Sequence, residues 1–316
     1  MRKRIGLFLA LAMVLALVLS ACTAPAAAPT ATAAPKPAAT TAPAATTAPA
    51  ATAAATKPAI TEVILATTTS TRDSGLLDVL IPDFEKKTGY KAKMVAVGSG
   101  AAITLGERGE ADVLLVHSPA AEVALMAAKH GTKRLLVMHN DYVIVGPKTD
   151  PAGIKGLPKV VDAFKAIAAK GSLFVSRGDA SGTDTAEKNI WKAAGITPQG
   201  QKWYQETGQG MGETLRVASE KEGYTMTDRA TWLATQKNLA LALLFEGDPS
   251  LLNIYHVIPV DPKKNDKMNG PGGEAFAQYM VAADTQKLIS TFGVEKYGGA
   301  LFFPDAGKKE SDLGSQ

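Results

Sequence analysis

The 316-residue chain has one cysteine, Cys22. A single thiol excludes a disulfide framework and any zinc or iron–sulfur site built on several cysteines. The four histidines (His117, His130, His139, His256) show neither H-x-x-x-H spacing nor HExxH. The P-loop, the GxSxG nucleophile elbow and the GxGxxG dinucleotide fingerprint are missing as well. Acidic residues are absent before Glu62, whereas five basic residues (Arg2, Lys3, Arg4, Lys36, Lys57) precede Ile60. The formal +4 comes from 34 basic and 30 acidic residues, so 29 face 30 from Ile60 onward, a net of −1. The basic excess belongs to the N-terminal stretch, and the case for nucleic acid, which rests on clustered Lys and Arg, lapses.

The N-terminal stretch has its own logic. A short positive start is followed by an apolar run from Ile5 to Leu19, too short for a comfortable membrane span and laid out like a secretory signal. It ends in Leu19-Ser20-Ala21-Cys22, which resembles the bacterial lipoprotein signal, in which residues 1–22 end at the lipid-bearing cysteine. Residues 23–59 contain only Ala (19), Thr (9), Pro (7) and Lys (2). Such a segment cannot bury enough apolar surface to offset chain entropy, so it reads as a disordered tether.

From Ile60 the pattern changes. Thr61–Ala66 reads as a strand, the polar turn Thr67–Gly75 follows, and Leu76, Leu77, Leu80, Ile81 and Phe84 recur at helical spacing until Thr88-Gly89. Strands at 91–97, 112–116 and 142–145 alternate with helices, and the rhythm restarts after Gly146-Pro147. Asn253–Ile258 reads as a strand returning toward the first half, and 273–292 as one long closing helix. Alternation of this kind implies α/β architecture with parallel sheets and crossovers. The expected arrangement is a two-lobed clam-shell. Lobe 1 comprises 60–146 plus 260–306, lobe 2 comprises 147–259, and a flexible tail follows at 307–316. The hinge is crossed near 146–150 and 255–262. Ligands of open α/β sheets bind beyond the carboxyl ends of strands, here in the cleft between the lobes.

The polar turns after strands carry the chemistry. Thr67-Thr68-Thr69-Ser70 offers hydroxyl donors beside a helix start, a combination that binds anions. Helix capping competes as an explanation, but a cap needs one hydroxyl. Gly98-Ser99-Gly100 repeats the logic more weakly. Ser176-Arg177-Gly178-Asp179-Ala180-Ser181-Gly182-Thr183 adds an always-charged donor suited to a tetrahedral oxyanion, with Asp179 placed to orient Arg177. In Tyr224–Arg229, Thr227 or Asp228 reads as a cap and Thr225 as a candidate ligand. His117 reads as a structural residue satisfied by backbone or as a donor near the cleft. The three tryptophans, Trp191, Trp203 and Trp232, read as packing.

Together, T-T-T-S (67–70), G-S-G (98–100), A-D-V-L-L-V-H-S-P-A-A-E (111–122), N-D-Y-V-I-V-G-P (140–147), S-R-G-D-x-S-G-T (176–183) and Y-T-x-T-D-R (224–229) resemble the tungstate-binding proteins of ABC importers. These lie within the type II periplasmic binding-protein superfamily, and the likeness spans 60–305. It implies a clam-shell receptor, not an enzyme, with no cofactor and no metal beyond that of the bound tungstate or molybdate. Carried over residue by residue, it implies ligands at Thr68, Thr69, Ser70, Arg177 and Thr183, with Ser99 and Ser181 next. It also implies a permease and ATPase as partners, attachment to the membrane through Cys22, and an extracytoplasmic location. A monomer with no nucleic-acid partner is expected.

The nearest competitor is a phosphate receptor of the same fold, which shares R-x-D-x-S-G-T. Phosphate at neutral pH carries a proton and gains from a carboxylate acceptor. Tungstate and molybdate are fully ionised, so every group facing them should donate. The turns 67–70 and 98–100 hold donors and no carboxylate, although Asp73 is close. Rivals of other classes are a secreted hydrolase, for which no base lies near these hydroxyls in sequence, and a surface sensor.

Overall fold

The computed structural model describes residues 60–313; the leader, Cys22 and the tether lie outside the described residues. The first elements are β1 (Glu62–Thr68), α1 (Thr69–Asp73), α2 (Leu76–Thr88), β2 (Lys91–Val97), α3 (Ser99–Glu107), β3 (Val113–Val116), α4 (Pro119–Ala127) and β4 (Leu135–Pro147). Then come α5 (Val160–Lys170), β5 (Phe174–Ser176), α6 (Gly182–Ala193), β6 (Tyr204–Glu206), α7 (Met211–Glu220), β7 (Thr225–Asp228) and α8 (Arg229–Thr235). The chain closes with β8 (Leu241–Phe245), β9 (Leu252–Pro259), α9 (Gly270–Val281), α10 (Ala283–Thr291), α11 (Val294–Tyr297) and β10 (Phe303–Pro304). No helix among the described residues is long and apolar enough to cross a membrane.

The first lobe is built on the strand order β2-β1-β3-β9-β4-β10. Successive side chains of a strand point to opposite faces, and here both faces are covered. Val63, Leu65, Val113 and Leu115 pack with Leu77, Leu80, Phe84 and Phe276 on one face, while Ala66, Leu114 and Val116 meet Ala102 and Ile103 of α3 on the other. That double burial explains why β1 and β3 read as nearly continuous apolar runs. The α2 helix stops at Gly89, whose φ of 77° is the left-handed conformation that glycine adopts freely. Asn269, at the start of α9, donates to the carbonyls of Ile60 (3.1 Å) and Glu62 (2.8 Å), fixing the entry of the chain into β1.

The sheet is mixed where parallel pairing was expected. β1 runs parallel to β2 and β3, but β9 is antiparallel to both β3 and β4. The reason is connectivity: β9 returns from the second lobe, so no right-handed crossover on the same sheet dictates its direction. β4 belongs to both lobes. Residues 135–141 pair with β9, and Tyr142–Val145 pair with β7, while Ile144–Pro147 pair with β8. The first crossing thus falls at Asp141–Tyr142, ahead of the expected 146–150. The second falls between β8 and β9, at 246–251, ahead of the expected 255–262. Arg229 ties the two crossings together, donating to both carboxylate oxygens of Asp141 (2.6 and 2.5 Å) and lying 2.7 Å from Glu246.

Two other expectations change. The closing helix is two helices, because Ala282 is extended (φ −68°, ψ 144°) and the Gln286 amide donates to the freed Met280 carbonyl at 2.8 Å. Of the tail expected to be flexible, residues 307–313 are seated on lobe 1. Glu310 bonds Arg134 and lies 3.2 Å from His256, and both of these also reach the buried Glu122.

In the second lobe β5 pairs with β6, and the Val175 N–H donates to the Tyr224 carbonyl (2.7 Å), which joins them to the β7-β4-β8 ladder. Trp191 is 1% exposed and packs its ring 4.4 Å from Phe164 and 5.2 Å from Phe174, with Trp203 at 5.4 Å. Trp232 is buried beside Val143 and Leu215. Below this cluster Glu187 is buried and accepts from Ser176 Oγ (2.6 Å), Tyr204 Oη (2.9 Å) and Trp191 Nε1 (3.0 Å). Burial pushes its carboxyl up to about 7 despite these donors.

A carboxyl whose folded pKa is raised favours the folded state while protonated, and that contribution is lost as pH rises from the unfolded value through the folded one. Glu187→Gln should therefore remove a loss of stability between about pH 4.5 and 7, on the order of 3 kcal/mol at most. Denaturant melts of wild type and variant across this range would show it; parallel pH profiles would contradict the assignment.

Candidate functional site

The carboxyl ends of β1, β2 and β3 and the turn after β5 meet between the lobes. On the first lobe the hydroxyls of the Thr67–Thr71 run divide their labour. Thr67 Oγ1 donates to the Leu115 carbonyl (2.9 Å) and Thr71 Oγ1 to the Thr68 carbonyl (2.7 Å), so both are structural. Thr68 caps α1, accepting from the Thr71 N–H at 3.4 Å while Thr71 Oγ1 accepts from the Thr68 N–H at 3.3 Å. Capping therefore accounts for part of the run and leaves Thr69 and Ser70. Ser70 Oγ is buried, 3.0 Å from Thr68 Oγ1 and 3.3 Å from His117 Nε2. Ser99, the first residue of α3, is fully buried and its Oγ accepts from the His117 N–H at 3.4 Å.

From the second lobe comes Arg177, 1% exposed. One guanidinium nitrogen, Nη2, donates to Asp179 Oδ2 (2.6 Å) and, across the lobes, to Thr69 Oγ1 (3.0 Å). Nε and Nη1 are buried with no hydrogen-bond partner, and so is Thr183 Oγ1. Leaving a buried donor unpaired costs roughly 1–3 kcal/mol, more when it is charged. Asp179 also accepts from the Ser181 N–H (3.2 Å), so it orients the arginine and shapes the turn. Ser181 caps α6 by accepting from the Asp184 N–H at 3.1 Å. Asp184 in turn accepts from the N–H groups of Gly178 and Ala180, both at 3.1 Å. Gly178 has φ of 60°, and a Cβ there would meet Glu206 Cβ at 2.6 Å, so only glycine fits.

The lobes touch through glycine backbone. The Gly100 N–H donates to the Ala180 carbonyl (3.3 Å), and a Cβ on Gly182 would lie 2.5 Å from the His117 carbonyl oxygen. The Met211 N–H donates to Thr69 Oγ1 (3.3 Å) and the Gly212 N–H to Asp73 Oδ2 (3.1 Å), joining the α7 start to α1. Asp73 Oδ1 is 2.8 Å from Arg72. Both Asp73 oxygens are thus engaged.

Of the eight expected ligands, the structure brings Thr68, Thr69, Ser70, Ser99, Arg177, Ser181 and Thr183 to one seam. Thr225 is buried in β7 in register with Val145, and it shares no hydrogen bond with this group among the described residues. Asp228 caps α8, accepting from the Thr231 N–H at 2.9 Å, and burial raises its pKa.

His117 lies at the back of the seam with several residues that sequence reasoning passed over, Tyr142, Asn140, Asn253 and Tyr255. His117 is satisfied by side chains, not backbone: Nδ1 lies 3.0 Å from Tyr142 Oη. Burial, helped by the charge of Arg177, pushes its pKa down to about 3, so the ring is neutral. Asn253 Nδ2 donates to Asn140 Oδ1 (2.8 Å) and to Tyr255 Oη (2.9 Å). The available signal was polarity inside strands, Asn140-Asp141-Tyr142 in β4 and Asn253 in β9, where alternation alone would place apolar residues.

Chemically this is a buried, donor-rich seam with one fixed positive charge. No group of three His, Cys, Asp or Glu that could hold a metal ion occurs among the described residues.

Comparison with known proteins agrees with this geometry. A family model described as a PBP superfamily domain matches residues 34–284. The tungstate-binding protein TupA of Peptoclostridium acidaminophilum is 49% identical over 248 residues, covering 78% of this chain and 86% of that protein. The structure of the tungstate ABC transporter from Geobacter sulfurreducens superposes with a TM-score of 0.67 at 44% identity, covering 73% of this chain and 98% of that one. The tungstate-binding protein TupA from Desulfovibrio alaskensis gives 0.65 at 46% identity, covering 78% and 99%. A matched superfamily model, relatives above 40% identity and a shared clam-shell place the chain in one family: it belongs to the tungstate-binding proteins of ABC transporters, within the periplasmic binding-protein superfamily.

Proposed function

We propose that this chain captures tungstate, or molybdate, between its two lobes and presents it to a membrane permease driven by an ATPase. The observation that carries this reading is Arg177, a guanidinium bonded across the lobes to Thr69 with Nε and Nη1 buried and unpartnered. A tetrahedral dianion would supply the missing acceptors. Thr69, Ser70, Ser99, Ser181 and Thr183 are the proposed hydroxyl ligands; Thr68 caps α1 and supports Ser70, and Thr225 has no comparable support.

Desolvating a dianion is costly, so its acceptors must meet several donors at once, in an enclosure where low dielectric strengthens each. The nearby carboxylates of Asp73 and Asp179 each accept from N–H donors of the turns they hold, so their first call is on the protein's own backbone and on Arg177. The relatives are binding proteins, and no bond-making chemistry is assigned. Lipid on Cys22 would hold the receptor outside the cell at the end of the Ala/Thr/Pro tether.

Calorimetric titration with tungstate, molybdate, sulfate and phosphate tests the ligand, with tungstate tight and phosphate silent as the expected result. Arg177→Ala should weaken tungstate by about a hundredfold or more, the value of charged hydrogen bonds of roughly 3 kcal/mol. Ser181→Ala should cost less than about tenfold, since its oxygen serves mainly as a cap; equal losses would contradict the roles.

Gly182→Ala should lower tungstate affinity with little change in melting temperature, because its Cβ can be housed only by parting the lobes at His117. Unchanged affinity would show that the backbone approach is not needed for capture. Cys22→Ser should move the protein from the membrane fraction to the soluble fraction on cell fractionation; continued membrane association would end the lipid reading.

A further inference from the structure

A serine hydroxyl has one proton to give and two lone pairs to fill. Which of these Ser70 turns toward a ligand depends on what its neighbours take. Ser70 Oγ is 3.3 Å from His117 Nε2 and 3.0 Å from Thr68 Oγ1. The other ring nitrogen, Nδ1, is 3.0 Å from Tyr142 Oη. His117 is 2% exposed and Tyr142 3%, so neither ring can look to bulk water for a partner. The imidazole is neutral, as burial beside Arg177 requires, and a neutral imidazole donates from one nitrogen and accepts at the other.

Two arrangements are therefore open to the trio. In one, Tyr142 donates to Nδ1, Nε2–H donates to Ser70 Oγ, and the Ser70 proton is free for the ligand. In the other, Nδ1–H donates to Tyr142 and Nε2 takes the Ser70 proton. Ser70 would then turn only lone pairs toward a dianion, and the Tyr142 proton would lose its acceptor on the ring. Burial raises the Tyr142 pKa, so the phenol always carries that proton and must place it. In the first arrangement the Tyr142 and ring protons each have an acceptor, and the Ser70 proton is the one left to face the anion.

We infer that Tyr142 locks His117 as its Nε2–H tautomer, and that this ring thereby forces Ser70 to act as a donor, making the trio a filter for fully ionised oxyanions. The inference rests on the oxyanion reading of the site. A protonated oxyanion needs an acceptor at this point; it meets instead an oxygen whose lone pairs face His117 and Thr68. His117 and Tyr142 are positioning residues that act on selectivity through Ser70. Tyr142 is the first residue of β4 in the second sheet and His117 follows β3 in the first. The filter is thus assembled across the hinge.

Long-range proton–nitrogen correlation NMR on protein labelled with 15N-histidine reads the tautomer directly, with the His117 signal assigned by its loss in His117→Gln. The expected ring carries its proton on Nε2 with Nδ1 bare, with and without tungstate. An Nδ1-protonated ring in the tungstate-bound protein would overturn the inference. Tyr142→Phe frees the tautomer, so tungstate affinity should fall about tenfold while phosphate affinity does not fall in step. Equal losses for the two oxyanions would also overturn it. His117→Gln, whose amide can still donate to Ser70, should keep more of the tungstate preference than His117→Leu; equal preferences in the two would count against the donor role. If the wild-type protein bound no tungstate, the receptor reading would fall by itself. The tautomer of the unliganded ring would then still uphold the lock, as Nε2–H, or refute it, as Nδ1–H.

Discussion

A positive charge withdrawn from water organises the seam between the lobes. Arg177 is almost wholly buried, and a buried cation is tolerated only when it is paired and its donors are met. Asp179 meets one nitrogen, and Thr69 reaches across from the other lobe to share it. The remaining donors impose the rest. The turn after β5 must hold the guanidinium still, which is why Asp184 takes two backbone N–H groups and why Gly178 adopts a conformation closed to other residues. His117, pressed against that charge, stays neutral and so keeps a lone pair that its neighbours can address.

The hinge has a related construction. One continuous strand, β4, serves both sheets, and the second passage lies in the short stretch between β8 and β9. The Arg229 fork on Asp141, extended to Glu246, clips the two passages together where they change lobes. Buried polar residues flank the same point: Asn140, Tyr142, Asn253 and Tyr255. A pair such as Asp141–Arg229 adds little net stability over a hydrophobic substitute, but removal of one partner strands a buried charge. Its value here is in register, since it fixes which residue of β4 leaves the first sheet.

Much of this was legible in the residues. Apolar runs bounded by polar turns placed β1, β2, β3 and β9 of the first lobe, and the glycine at 89 marked a true stop. Arg177, with its satellite hydroxyls and Asp179, stood out because that chemistry has few structural uses in a turn. What escaped reading was non-local. Nothing near 253–259 says that the strand runs antiparallel to β3, since its direction follows from a return through the other lobe. The break at Ala282 depends on Gln286 supplying a side-chain donor, which periodicity cannot show. Thr68 looked like a hydroxyl in excess of a cap, yet it is the cap itself, and its capping box also engages Thr71, a residue outside the Thr67–Ser70 run. His117 looked like a lone histidine after a strand because its partners, Ser70 and Tyr142, lie 47 and 25 residues away.

The first lobe owns both ends of the described chain. Ile60 enters β1 under the grip of Asn269, and residues 307–313 finish against Arg134 and His256. The second lobe is an insertion hung from two adjacent passages. A load applied ahead of Ile60 is therefore borne by the β1 sheet and by α9, and it does no work on the hinge.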